Sequence, residues 1–290
     1  MQFDESMKRR HKIIKEKMFE QGIDSVLILN STSLFYFTGF NPMFHDHPMY
    51  LTIRKDEDAW LVVNFVRRVH ALQDSWVRNL ITYGPSSPEY GEPVYKDPIE
   101  AVRRSLKGVK RLGIEEGSMH LSYYRELKSS LEKMEFCNIT PWIHGMRCVK
   151  DQYEIQCIRN AAEITNVGMR TALELAKSKA DEMEICIEAE YAMAKEWRKR
   201  FPNMDTASPV GGPEGAILRS LWCLCPSGPR AKLVTDTPTT RKLEDGDIAL
   251  PRVWATCGGY VAENERGVIV GEPTDKQKRI LKGLSEARDR

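Results

Sequence analysis

The stretch GDIALPRVWATCGGYVAENERGVIVGEPTD, residues 246 to 275, constrains this chain more than any other. It reads as two β-strands joined at Gly258-Gly259, the residue type that a tight hairpin turn needs. The final GEPTD is a turn that starts a helix. Side chains of a strand alternate between faces, so Glu263 and Glu265 share one face, with Asn264 on the other. Pairing across the hairpin can bring Arg252 near Glu263 as an ion pair; the alternative is that Arg252 points to solvent. Two neighbouring carboxylates can split their pKa values and work as acid and base. With Arg252 and Arg266 close in sequence, a neutralised ion cluster is the other reading.

A single hairpin needs a larger core to lie on. The chain has 290 residues, 41% of them hydrophobic, which is enough for two domains. A net charge of +2 with 29% charged residues describes a mixed surface and excludes the strongly basic footprint of a nucleic-acid binder. No apolar run reaches the ~20 residues of a membrane helix. The N-terminal MQFDESMKRRHKII lacks the apolar segment of a signal peptide. A cytoplasmic protein is expected. The 7 cysteines are odd in number and irregular in spacing, which fits free thiols. Cys223 and Cys225 are expected as half-buried thiols on one strand face.

Before the hairpin the chain falls into two parts. Residues 1–147 alternate strands (SVLILN, YLTIRKDEDAWLVVN, NLITYG, KRLGIEE) with helices (PIEAVRRSLKG, SYYRELKSSLEKM), an α/β layer. Residues 148–290 open with a helix that Asp151 caps, Glu154 completing a capping box. Its expected apolar stripe is Ile155, Ile158, Ala162 and Ile164 or Thr165. A second helix, EMEICIEAEYAMAKEWRKR, follows. GGPEG at 211 to 215 lacks the Lys-Ser/Thr of a phosphate loop and reads as a flexible loop.

The ordered segments QGIDSVLILNSTSLFYFTGF, MRCVKDQYEIQCIRNAAEI, PSGPRAKLVTDTPTTRKLEDGDIAL and GGYVAENERGVIVGEPTDKQ resemble the creatinase, prolidase and aminopeptidase P family. The resemblance implies a creatinase-type α/β N-terminal domain, then an α+β pita-bread domain that is incomplete at the C-terminus. It implies hydrolysis of C–N bonds in short peptides or small amidines, and a homodimer. Neither nucleic acid nor membrane is an expected partner.

Metal-dependent members of that family hold two metal ions with two Asp, one His and two Glu. The first Asp stands eight residues before the tyrosine of the turn and the second three after, which here are Arg252 and Glu263. An arginine repels a divalent ion, so no metal and no cofactor are expected. The His and the two Glu lie in the second half of the family's domain, which this sequence does not reach, and no histidine follows His144. Metal-free creatinase resembles the chain in the E-R of Glu265-Arg266 and in the run Thr239, Thr240, Arg241, Lys242. Its proton-shuttling histidine would fall at Thr235, which cannot do that work near neutral pH. Asp236 next to it is a candidate base that would face the wrong way on a strand. His45 and His47 are either plain surface or substrate contacts, since that loop can reach a neighbouring subunit's site in the family. The expectation is an impaired or inactive member of the family. The alternatives are a non-catalytic binding module and a truncated gene product.

Overall fold

Strands that are buried at every position need cover on both faces, and SVLI, YLTI and LVVN are of this kind. The computed structural model, which describes residues 2–42, 47–85, 95–209, 211–212, 215–216, 221–233 and 236–289, provides that cover. The backbone divides into two compact units. One is Met1–Ile155 with Ala207–Leu218, the other Gln156–Thr206 with Arg219–Arg290.

The first unit is built on β1 (Ser25–Ile28), β2 (Tyr50–Arg54), β3 (Trp60–Asn64), β4 (Asn79–Tyr83), β5 (Arg111–Ile114) and β6 (Glu135–Asn138), in the order β4-β3-β2-β1-β5-β6. β1 runs parallel to β5 and antiparallel to β2, and β3 is parallel to β4. Alternation sends Val26, Ile28, Leu51 and Leu61 to one face. There they meet Ile14 and Met18 of α1 (Gln2–Gln21), Phe37 of α2 (Ser31–Thr38) and Ile143 of α6 (Thr140–Cys148). Leu27, Tyr50 and Val62 point the other way, onto Val102 of α4 (Pro98–Ser105) and Leu127 of α5 (Leu121–Ser130). The short α3 is Arg68–Asp74, and β7 (Gly211–Gly212) pairs with β8 (Gly215–Ala216). FCNITPW holds strand β6 and the first residues of α6.

The second unit lays a sheet, β9 (Leu221–Leu224), β11 (Arg252–Cys257) and β12 (Tyr260–Glu265), against two long helices. These are α7 (Gln152–Lys177) and α8 (Glu182–Arg200). Val253, Ala255 and Cys257 pack with Ala161, Ile164, Ile185 and Ala189. The capping box at Asp151 is present, Asp151 N donating to Glu154 and Glu154 N to Asp151, each at 2.9 Å. The expected stripe of α7 is displaced around the helix. Cys157, Ala161, Ile164, Met169, Ala172 and Ala176 are buried, whereas Ile155, Ile158 and Ala162 are only partly so. Small side chains let helices approach closely, so they take the contact line. β10 (Ile248–Ala249) pairs with β13 (Val268–Ile269). Helix α9 (Asp275–Arg288) starts at a Thr274–Gln277 capping box.

Candidate functional site

The hairpin forms as a β11–β12 pair turned by Gly258 and Gly259. Their φ values of 56° and 78° lie where an L side chain is strained. The register sets Arg252 opposite Glu265, Trp254 opposite Glu263, and Trp254 opposite Trp222 of β9. These residues occupy the sheet face opposite Val253 and Ala255, which face the helices.

Arg252 is therefore an ion-paired residue and not a solvent-pointing one. Its Nε lies 3.6 Å from Glu263 Oε1 and in direct contact with Glu265 Oε1. Its guanidinium sits 5.8 Å from the centre of the Trp254 ring. Trp254 stacks on Trp222, with centroids 4.0 Å apart and planes 7° from parallel. Partial burial pushes the Glu263 carboxyl up, the neighbouring Glu265 carboxyl pushes it further, and Arg252 pulls it back. The two carboxylates and one cation form one ion cluster. Arg266 is not part of it: its Nη1 donates to the Glu265 backbone carbonyl at 2.6 Å. The expectation that Arg266 helps neutralise the carboxylates is corrected to that extent.

The SGP loop and the TTRK run enclose a second charged group, which the sequence did not reveal. Glu182, the first residue of α8, is fully buried. Its carboxylate accepts from Ser227 N and Oγ, both at 2.8 Å, and from Thr239 N at 3.0 Å and Oγ1 at 2.8 Å. Arg230 Nε completes the set at 3.2 Å. Burial alone would raise this carboxyl, and the donors from Ser227 and Thr239 outweigh it and hold it low. Arg241 grips Asp247 with both Nη atoms, at 2.7 and 3.1 Å, and donates to Ser227 Oγ at 2.9 Å. Gly228 fits here for lack of a side chain, since a Cβ would lie 2.3 Å from Asp247 Oδ1.

Asp236 belongs to the rim of this group and lies on no strand. It follows the 3-10 turn Gly228–Leu233 and accepts from Arg230 Nη2 at 3.0 Å. The candidate base is thus held by a cation. Thr235 and His45 lie outside the described residues, and His47 is half-buried just before β2. Cys223 and Cys225 are buried, not half-buried, and Cys225 lies beyond the end of β9. A hydrogen bond with Cys186, then burial, pushes the Cys223 thiol up; burial does the same to Cys225. Protonated thiols are poor nucleophiles and poor ligands.

A divalent ion fits this hairpin badly. One of the two positions that the resemblance gives to aspartates holds a guanidinium, and the carboxylate at the other is engaged with it. Among the described residues no group of three or more His, Cys, Asp or Glu is arranged to hold a metal ion. Nor is any helix among them long and apolar enough to cross a membrane.

Comparison with known proteins agrees with the architecture. The Creatinase/Prolidase N-terminal domain family matches residues 10–149, and Metallopeptidase family M24 matches residues 156–290. An Xaa-Pro dipeptidase of Pyrococcus horikoshii is 27% identical over 282 residues, covering 97% of this chain and 70% of that protein. A creatinase of a Bacillus species is 25% identical over 284 residues, covering 94% of this chain and 62% of its own length. The solved prolidase of Pyrococcus horikoshii superposes with a TM-score of 0.76 at 25% identity, covering 97% of this chain and 70% of that one. The X-Pro aminopeptidase of Thermotoga maritima does so with 0.71 at 25%, over 93% and 69%. The chain thus spans between 62% and 70% of these proteins. With a creatinase/prolidase N-terminal domain followed by an M24 region, it belongs to the creatinase, prolidase and aminopeptidase P family.

Proposed function

We propose that this chain takes ligands of the family's class, Xaa-Pro peptides or small amidines with a C–N bond, on a hairpin that holds no divalent ion. Two-metal hydrolysis needs hard oxygen donors converging on the cations. The observation that carries the reading is Arg252, a fixed positive charge held between Glu263 and Glu265. Its guanidinium neutralises the carboxylates that a metal would otherwise draw on. The chain is accordingly impaired as a metal-dependent peptidase. The resemblance to Xaa-Pro dipeptidases and creatinase supplies the ligand class, and also a homodimer, which light scattering during gel filtration measures.

A second reading has one observation in its favour. Burial and the neighbouring Glu265 raise the Glu263 carboxyl, the direction that suits a group passing a proton without a metal. One set of assays separates the two. Purified protein is analysed for bound metal, then given Ala-Pro or creatine, with and without Mn2+, Co2+ or Zn2+. The proposal expects no stoichiometric metal and no metal-stimulated cleavage. Cleavage without metal that Glu263→Gln abolishes selects the second reading. Stoichiometric metal with metal-dependent Xaa-Pro cleavage overturns both.

A further inference from the structure

A cavity of about 410 Å3 lies in the first unit, against the outer strands of its sheet. Its walls include Trp60, Ile81 and Tyr95 together with Arg54, Arg104 and Lys107. β4 is an edge strand, and beyond it Tyr95 makes a single parallel bridge with Tyr83. Trp60, the first residue of β3, is only partly buried against the core beneath α4. The lining therefore combines aromatic rings from the sheet's outer strands with the C-terminal end of α4.

A helix C-terminus normally repels anions because its last carbonyls are unpaired. Here Arg54 removes that obstacle. Its Nη1 donates to Lys107 O at 2.8 Å and to Ser105 O at 3.4 Å. Its Nη2 pairs with Glu57 at 3.0 Å, so the acidic residue in the cavity wall is already neutralised. Arg104 and Lys107 remain. Both are exposed, and neither side chain makes a hydrogen bond or ion pair among the described residues. Two cations without an ion-pair partner among the described residues thus share this pocket's lining with an indole and a phenol.

We propose that this cavity binds a planar organic anion: a flat aromatic or heteroaromatic body lying against Trp60 and Tyr95, with a carboxylate, sulfonate or phosphate held by Arg104 and Lys107. The volume is within the range of small-molecule sites, about 300–1,000 Å3. Charge-assisted hydrogen bonds supply orientation, and the apolar wall supplies contact area. This site is independent of the hairpin in the other unit.

The test is a calorimetric titration of the whole chain with 2-naphthoate, with its neutral amide 2-naphthamide and with inorganic phosphate. Saturable one-to-one binding of 2-naphthoate is expected, weaker by about tenfold or more for the amide, for phosphate and for the Arg104→Gln/Lys107→Gln variant. That variant touches exposed side chains without partners among the described residues, so its melting temperature should match wild type and report a folded protein. Trp60→Phe keeps a ring and should weaken binding by a smaller factor. No saturable binding at about millimolar 2-naphthoate overturns the proposal. So does equal binding by the double variant, or phosphate binding as tightly as 2-naphthoate.

Discussion

The Glu182 group and the Arg252 hairpin are both arginine–carboxylate clusters in the same unit, yet they do opposite things. Glu182 is fully buried and receives donors from Ser227, Thr239 and Arg230, while a second arginine, Arg241, locks Asp247 beside it. A buried carboxylate is tolerable only when its lone pairs are satisfied, and here they are. At the hairpin the Glu263 and Glu265 side chains are 42% and 50% exposed, so water screens their attraction to Arg252. Exposed pairs contribute about 0–1 kcal/mol. The first cluster is part of the architecture: it ties the start of α8 to the SGP loop and to the TTRK run. The second adds little to stability, so its consequence is chemical: it places a cation on a sheet face that resembles a metal-binding face.

The largest expected effect breaks the first cluster. Glu182→Ala leaves Arg230 Nε and the Ser227 and Thr239 donors without their acceptor, and Arg230 then keeps only Asp236 and the Thr237 carbonyl, through Nη2. Removing one partner of such a buried group costs about 3–5 kcal/mol. Urea denaturation should show the loss, with Glu182→Gln intermediate. A cost below about 1 kcal/mol would put the two clusters in the same class and end the contrast.

The next effect sharpens it by asking what burial does without saturation. Glu115, just past β5, is 3% exposed and takes a hydrogen bond from Ser33 Oγ at 2.7 Å, and burial raises its pKa to about 7. His11 of α1 is also buried, and desolvation lowers its pKa to about 4, so the neutral ring donates Nε2–H to Phe37 O at 2.8 Å. The signs oppose. Glu115 has a folded pKa above its unfolded value, so its contribution is complete below about pH 4.5 and is lost as pH rises through about 7. His11 has a folded pKa below its unfolded value, so its contribution is present above about pH 6.5 and is lost as pH falls through about 4. Each is worth up to about 3 kcal/mol. Between about pH 4.5 and 6.5 the slopes cancel and the first unit's stability should be nearly flat. Glu115→Gln should leave stability rising with pH across that window, and His11→Gln should leave it falling. Parallel slopes in the two variants, measured by denaturation from pH 4.5 to 6.5, would defeat the assignment.

How much of this was legible in the sequence depends on distance along the chain. The hairpin was legible because strand alternation and a Gly-Gly turn are local. The Arg252–Glu263 pair followed from it, as did an ion cluster that takes in Glu265, but not that Glu265 is the closer partner. A two-residue turn sets Arg252 directly opposite Glu265, and that register matters more than the spacing of the family's ligand positions. The Trp222–Trp254 stack lies beyond a local reading because β9 ends at Leu224 and the hairpin begins only at Arg252, with a 3-10 turn and β10 between them. The Glu182 group was out of reach for the same reason, its donors Ser227 and Thr239 lying 45 and 57 residues away. The expectation of Asp236 on a strand fails because no residue pattern before it signals the 3-10 turn. The sheet of the first unit, by contrast, was readable from its apolar runs.

The smallest effect on stability carries the most information about function. Arg252→Ala removes exposed pairing and should change the unfolding free energy by less than about 1 kcal/mol. It also removes the charge that pulls the Glu263 carboxyl down and leaves only the Trp254 side chain to do so, so that pKa should rise further, which NMR titration of the carboxyl carbon measures. Arg252→Asp goes one step beyond. It puts a third carboxylate beside Glu263 and Glu265 and turns a neutralised face into a concentrated negative one. Hard divalent ions are held by such oxygen donors. Calorimetry with Mn2+ should therefore register uptake by Arg252→Asp that wild type lacks, and Mn2+ should raise the variant's melting temperature by mass action. The stability of this variant without metal should fall, because three like charges then share one strand pair. If Arg252→Asp matches wild type in both stability and Mn2+ uptake, Arg252 is not what keeps metal from the hairpin. The raised Glu263 beside Glu265 would then be the feature left to explain, and the metal-free reading would gain the ground that the arginine loses.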